Sequence, residues 1–536
     1  MLTETFAAIV FGLVFQTPAA QPVAKESLRT RVEQLHDAPS LLIRGVRLQR
    51  PDAVVHFFET NTFAAAWPLP AAADSIRQAI VDAEADGLRP PDYHLAAIDT
   101  LLTTRRTAPH PALDDDLQII LTDAVAALID DLRFGKVRPV TLDKRWNVDP
   151  RTGAPPLESL VVSVAGSKSP AVAIAGLKPS HFIYVGLKDA LAKLRAAERA
   201  GGWPSVPAGP AIRPGQRDRR VAAVRTRLAV TGELLQDSGA PESELYDDDL
   251  LAAVKRFQER HRLTADGSIG PATIQAMNVS AAARVDQVRV NMERARWVVG
   301  GLHDSFVLVN LPAFKVYLIR NRRNVWESRT QIGREARQTP TFRADMRYLV
   351  FNPDWTVPPT ILAQDVLGGM RKGENTIARK HLTILDRQGR PVDPSTIDWA
   401  NATRANFPYT LRQPPGEDNA LGRVKFIFPN EHSIFLHDTP SRELFGSDKR
   451  TFSSGCIRVE NPLEFATVLL DGDSRWNRQV IDDTVANGKT ETVFLKEPLP
   501  VLIVYWTVSV GASGDLRFAR DVYNLDAPVL RSLESI

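Results

Sequence analysis

The sequence predicts a multidomain α+β protein, helical through its first half and mostly β in its second. Three observations carry that reading. Apolar residues recur at helical spacing from Ala72 to Leu132, a well-punctuated helical module fills 217–280, and beyond about residue 303 the apolar period shortens to that of strands. With 536 residues the chain has room for about three domains.

Taken in order, the first element is the apolar run Phe6 to Phe15. As a helix it would rise only about 15 Å, too short to cross a bilayer. With Thr17-Pro18-Ala19-Ala20 behind it, the run reads as the core of a signal peptide over 1–20, although Glu4 and no basic residue precedes it. Residues 21–200 read as helical. Ala72, Ile76, Ile80 and Ala83 share one face, and Leu113, Leu117, Ile120, Leu121, Val125, Leu128, Ile129 and Leu132 continue a second stripe over nearly six turns. Gly201-Gly202-Trp203-Pro204 to Pro214-Gly215 is a Pro/Gly-rich linker, 201–216.

In the module 217–280, Val221, Val224 and Leu228 line one helix, and Leu250, Val254, Phe257 and His261 another. Gly270-Pro271 starts a third, where proline's missing N–H costs nothing. A connecting helix over 281–303 carries Val285, Val288, Met292 and Ala295 on one side. Residues 304–525 then hold short β-rich runs at Val307–Val309, Val316–Ile319, Tyr348–Phe351 and Val424–Phe428, a helix opening at Asn461-Pro462, and a closing hairpin made of Val501–Val510 and Leu516–Phe518. The stretch 358–410, too long for a plain loop, reads as a lid or small subdomain, and 526–536 as a tail.

Composition narrows the function. Basic and acidic residues nearly balance, 66 against 63, and no basic block interleaved with aromatics occurs, so nucleic acid is not the expected partner. No other apolar run is long enough to span a membrane once the signal is removed. There is no HExxH and one cysteine in all; a metal site on His432, His437 and Asp438 fails because positions five apart on a strand face opposite sides, so neither a metal nor another cofactor is expected.

That cysteine, Cys456, lies in Ser453-Ser454-Gly455-Cys456-Ile457-Arg458. A free thiol is a small buried hydrophobe unless its surroundings favour the thiolate, and an Arg two residues on invites a chemical reading beside inert packing. Upstream, Ser433-Ile434-Phe435-Leu436-His437 reads as a strand ending at a histidine, either structural or within reach of the thiol. An imidazole close to Cys456 would take its proton, and the thiolate–imidazolium pair would attack carbonyls near neutral pH.

The His, the gap and the Ser-x-Gly-Cys-x-Arg box resemble the L,D-transpeptidases with the YkuD-type catalytic domain, which remodel bacterial peptidoglycan. Many members have His before the Gly; this chain has Ser454, as in the large periplasmic subgroup. Arg412-Gln413-Pro414-Pro415-Gly416, Asn419 to Phe426 and Val309 to Phe314 resemble that subgroup too. By the same resemblance 21–200 is a helical scaffold domain, 217–280 a three-helix peptidoglycan-binding module, and 304–525 the catalytic domain, its sheet completed by the terminal hairpin and its active site covered by a mobile cap at 358–410.

The resemblance implies a periplasmic, wall-associated enzyme acting on peptidoglycan stem peptides and glycan, with other wall synthases or carboxypeptidases as possible partners. Cys456 would attack the carbonyl before the terminal D-Ala of a tetrapeptide stem, His437 would protonate the departing amine, and a second stem's amine would resolve the thioester into a 3→3 cross-link. The N–H groups of Gly455 and Cys456 would form the oxyanion hole. Arg458 would raise the thiolate fraction, hold a donor carboxylate or shape the loop. Ser453, Ser454, Trp399, Tyr409 and Gln413 complete the expected substrate site, with packing inside the cap as the other reading of the aromatic pair. The partner of His437 is expected to be a backbone carbonyl, because alternation points the Asp438 side chain to the opposite face. Hydrolysis by the same Cys and a non-enzymatic wall-binding protein are the alternatives. Carbapenems are expected to acylate Cys456.

Overall fold

The computed structural model describes residues 21–235, 242–511 and 514–535, so the expected signal peptide lies outside the described residues. The helical stripe read at 113–132 is α1, Pro111–Phe134, which starts on a proline and is buried along almost its whole length. Around it the helices of the N-terminal region bury a core that includes Phe57, Phe58, Trp67, Ile76 and Ile80. Among the described residues no helix is long and apolar enough to cross a membrane.

Helix α2, Phe182–Arg199, packs along α3, Ala281–Arg296, and together they join the N-terminal region to the sheet. The joint is polar at its centre. Glu293 is fully buried, accepts the Val137 N–H at 2.6 Å and pairs with Arg296 at 2.9 Å. Arg296 also donates to Tyr184 Oη at 2.9 Å, and that hydroxyl donates to Asp86 at 3.1 Å. Desolvation makes such a cluster costly unless every member is paired, so it fixes how the two regions meet.

The β-rich region forms a nine-stranded sheet. Its strands are β1 Phe306–Asn310, β2 Lys315–Arg320, β3 Arg323–Gly333, β4 Phe342–Phe351, β5 Val424–Ile427, β6 Leu436–His437, β7 Thr451–Ser453, β8 Ile457–Val459 and β9 Glu491–Val504, in the order β7-β3-β8-β6-β5-β4-β9-β1-β2. Because β2 also pairs with β3, the sheet closes on itself. Pairing is antiparallel except for β6 with β8, β7 with β3 and β9 with β1. The inward alternation of Val424, Phe426, Leu436, Ile457 and Val459 fills the core together with Phe465 from the helix Pro462–Leu469.

Two expectations change here. The run from Val501 belongs to the long β9, whereas Val508–Val510 and Leu516–Phe518 form a separate two-stranded sheet. Pro500 and Trp506-Thr507 bracket a stretch whose partner β1 ends at Asn310, so the chain leaves the main sheet before the hairpin begins. The expected tail is a helix, Asp526–Glu534, held by Val529 and Leu533 against the apolar side of α3.

The module read at 217–280 holds three helices, Val221–Val230, Asp248–Arg260 and Pro271–Met277, around Val224, Leu228, Leu250, Val254, Phe257 and Met277. It docks on the hairpin: His261 stacks between Phe257 and Phe518, and Arg260 donates to Leu516 O at 3.0 Å. Thr264 N–H reaches Asp448 on the sheet side at 3.1 Å. A second small sheet, Trp355–Thr356, Thr410–Gln413 and Thr383–Leu385, with short helices between 359 and 379, makes the stretch read as a lid into a folded cap with its own core.

Removing one partner of a buried ion pair strands the other. Glu293→Ala should cost about 3–5 kcal/mol in urea unfolding of the joint between α2, α3 and the N-terminal region; a loss below about 1 kcal/mol would show that Arg296 is satisfied without it.

Candidate active site

The site begins with the parallel register of β6 and β8, in which Leu436 lies beside Ile457 and His437 beside Arg458. Leu436 and Ile457 point into the core, so alternation turns His437, Arg458 and Cys456, one residue before β8, to the other face. Ile457 N–H bonds to Phe435 O at 3.1 Å and sets Cys456 beside Phe435. The register continues both ways: Arg458 pairs with Gln331 of β3 and His437 with Lys425 of β5. Gln331, Arg458, His437 and Lys425 thus form one row across four strands on the face opposite the core.

The turn before Cys456 is held from inside. Ser453 Oγ accepts the Gly455 N–H at 3.1 Å and donates to Cys456 O at 2.5 Å. Thr339 Oγ1 donates to Gly455 O at 2.7 Å and accepts the Gly333 N–H at 2.9 Å. Gly455 has φ +126°, a conformation that side chains resist, and an added Cβ would meet Ile434 at 3.3 Å. The expected oxyanion pair is therefore halved: Gly455 N–H is spent on Ser453, whereas Cys456 N–H donates to no protein group among the described residues. Ser453 is buried and structural to the turn. Cys456 Sγ lies 3.6 Å from Ser433 O.

His437 is buried, and its Nδ1 lies 2.5 Å from Asp438 O. A carbonyl only accepts, so Nδ1 carries the proton and Nε2 presents its lone pair. The Asp438 carboxylate is turned away and accepts the Arg423 N–H at 2.8 Å. Burial, then Arg458, pushes the His437 pKa down to about 3. Burial raises the Cys456 thiol to about 11, against the smaller pull of a backbone hydrogen bond and Arg458. The resting site thus holds a neutral thiol and a neutral imidazole, not the expected thiolate–imidazolium pair, because desolvation outweighs the one nearby cation. Arg458 donates to Gln331 Oε1 at 3.1 Å, and its buried Nε has no partner among the described residues.

A sole cysteine in a glycine turn, one strand from a buried, carbonyl-oriented histidine on the same face, offers a nucleophile and a base for acyl transfer. Residues 304–481 match the family model described as the L,D-transpeptidase catalytic domain, YkuD. This region is similar to that family's catalytic domain. Residues 52–191 match a scaffold domain model and 217–277 a model described as "Putative peptidoglycan binding domain". A curated Haemophilus influenzae protein described as "Putative L,D-transpeptidase" is 34% identical over 243 residues, 45% of this chain and 48% of that one, so the match spans about half the relative's length. Among solved structures, an L,D-transpeptidase from Xylanimonas cellulosilytica is 15% identical with a TM-score of 0.18, covering 56% of this chain and 99% of that one. Another, from Stackebrandtia nassauensis, is 11% identical with a TM-score of 0.21 and covers 56% and 96%. At these scores the superpositions add nothing to the strand order described above.

In this region the cap packs on the sheet through Phe435, which touches both the sheet core and the cap core. Trp399 and Tyr409 each pack against Phe407 within the cap, the second edge-on, and Trp399 Nε1 donates to Pro394 O at 2.9 Å. Gln413 is buried, donating to Asp418 O and accepting the Ala420 N–H, both at 2.9 Å. Gln413 is thus taken up by its own loop, whereas Trp399 and Tyr409 pack in the cap and remain partly exposed. Ser454 stays exposed and accepts from Arg337 Nη1 at 2.9 Å, while the same guanidinium pairs with Asp365 of the cap at 2.8 Å. Arg337 and Thr339 escaped the motif reading; Lys425 lies within the resembling stretch Asn419 to Phe426 without an assigned role, its own signal being a charge that alternates with Val424 and Phe426 in a strand.

With both groups neutral at rest, alkylation of Cys456 by iodoacetamide should climb about tenfold per pH unit through roughly pH 6–9 without levelling off. A plateau near pH 7 would mean a resting thiolate. The depressed His437 pKa has a matching sign in stability: below its ordinary value near 6.5 the unfolded chain takes up a proton that the fold refuses, so this contribution to stability is lost as pH falls from about 6.5 toward 3.

Proposed function

We propose that this protein is a cysteine L,D-transpeptidase that joins peptidoglycan stems by 3→3 cross-links through a thioester on Cys456. The observation that carries the reading is the placement of Cys456 and His437 on one face of adjacent parallel strands, under a folded cap. His437 Nε2 takes the thiol proton as Sγ attacks the carbonyl before the terminal D-Ala, since neither group is ionised beforehand. The oxyanion forms near the Cys456 N–H. As the C–N bond breaks, His437 returns the proton to the leaving amine, and D-Ala departs. An acceptor amine then loses its proton to His437 as it attacks the thioester, restoring the thiol.

Arg458, with its unpartnered Nε, holds the acyl side of the donor. The division proposed for the chain is a scaffold over 21–200, a linker over 201–216, a wall-binding module over 217–280, a connecting helix over 281–303 and the catalytic domain over 304–525, in a protein exported to the periplasm. Support comes from the matches at 52–191 and 217–277 and from the module's direct seating on the hairpin beside the catalytic sheet.

Intact-protein mass spectrometry with a disaccharide-tetrapeptide tests the chemistry. Wild type should gain an acyl adduct and release 3→3 dimers; Cys456→Ala should do neither, a loss of at least about 10³-fold. Tripeptide as the only product would make the protein a hydrolase. A carbapenem should leave an adduct on wild type alone. Deleting 217–280 should weaken binding to sacculi while leaving acylation by a soluble stem, and full retention of binding would remove the module from that role.

A further inference from the structure

Lys425 stands one strand beyond His437, on the side away from Cys456. The Asp438 N–H bonds to Val424 O at 2.9 Å, so the adjacent Lys425–His437 pair is of the non-hydrogen-bonded kind, whose side chains approach most closely, with Cβ atoms ~4.5–5.5 Å apart. Val424 and Phe426 are fully buried in the core, which turns Lys425 to the site face. The side chain is half-buried, and among the described residues no carboxylate bonds or pairs with it. Its charged neighbour is Arg412, itself paired with Asp354. Burial, then Arg412, lowers the Lys425 pKa, and no anion offsets them. Lysine seldom gives up water for such a place without a counter-charge.

We propose that Lys425 is a substrate-binding residue whose ammonium receives the terminal carboxylate of the donor stem, so that the site selects stems ending one residue after the scissile carbonyl. The inference rests on the acyl-transfer reading above and adds a determinant of donor length to it. Across the sheet the order is Cys456 at the start of β8, His437 on β6 and Lys425 on β5. Along the donor the order is carbonyl carbon, amide nitrogen, Cα, carboxylate. The leaving nitrogen must come within ~2.6–3.2 Å of His437 to be protonated. The carboxylate of the same residue lies two bonds further on, on the side away from the nucleophile. Strands are spaced ~4.8 Å apart, and a lysine stem with four methylenes bridges that interval. Arg458 lies on the strand of Cys456 itself and is already held by Gln331, so it serves the acyl side instead. A stem one residue longer would place a neutral amide where the ammonium expects an anion.

The test compares acyl-enzyme formation by a tetrapeptide donor with a free terminal carboxylate and by the same donor with a terminal carboxamide, in wild type, Lys425→Gln and Lys425→Arg. A hydrogen bond between charged groups predicts that amidation lowers wild-type kcat/KM about 10- to 100-fold, chiefly through KM. Lys425→Gln should lose a similar factor on the carboxylate donor, should lose about twofold or less on amidation, and Lys425→Arg should recover most of the loss. Equal sensitivity to amidation in wild type and Lys425→Gln would overturn the proposal. So would a wild type indifferent to amidation, a result that needs no variant to fold. If wild type forms no adduct with either donor, the acyl-transfer reading falls and this inference with it, whereas an adduct insensitive to amidation sinks the inference alone.

Discussion

The parallel pairing of β6 with β8 is the constraint on which the site depends. β6 is only two residues long, and it is placed by neighbours on both sides: β5 through Lys425 and Phe426, β8 through Ile457 and Arg458. Leu436 and Ile457, both fully buried, determine the register, because a slip by one residue would exchange core and site faces. With those two side chains inward, alternation turns His437 and Cys456 to the same outer face, His437 beside Arg458 and Cys456 two residues before it. Ser453, Gly455 and Thr339 then convert an approach of strands into a defined turn, each hydrogen bond drawing a backbone group of 453–456 away from alternatives.

The electrostatics follow from where that face lies. The cap packs at its edge through Phe435, and desolvation is the largest influence on both the thiol and the imidazole. A single guanidinium at Arg458 cannot offset that, so thiol and imidazole stay neutral until a substrate arrives. The proton on Nδ1, held by a carbonyl, leaves Nε2 ready to accept another. On the acyl-transfer reading proposed above, nucleophile activation would be concerted with attack instead of stored in advance. Arg337 spans the cap residue Asp365 and the cysteine box at Ser454, so cap position and turn geometry share one side chain.

Beyond the site, the architecture is a chain of docked units. Glu293, Arg296, Tyr184 and Asp86 form a paired polar cluster where α3 meets the N-terminal region, and His261 with Phe518 fastens the three-helix module to the hairpin. Each joint uses buried or stacked groups that would be costly to separate, so the module that matches a peptidoglycan-binding model has a fixed seat beside the catalytic sheet.

The amino-acid sequence by itself determined the helical stripes of α1 and α3, the change of period after about residue 303, the proline-started helices and the identity of the sole thiol, because each is a local pattern of side-chain size, charge and backbone preference. It also made His437 and Cys456 recognisable as a pair, through a motif spacing that a known family shares. Tertiary structure decided what those groups face. Ser453 took the Gly455 N–H, Trp399 and Tyr409 each packed against Phe407 of the cap, the hairpin left the main sheet, and the last segment became a helix against α3. Strand alternation reveals that Lys425 and His437 each lie opposite an apolar neighbour, but their closeness is a property of register between segments more than ten residues apart. The upward push on the Cys456 thiol likewise comes from desolvation in the folded chain, which no local pattern of the sequence displays.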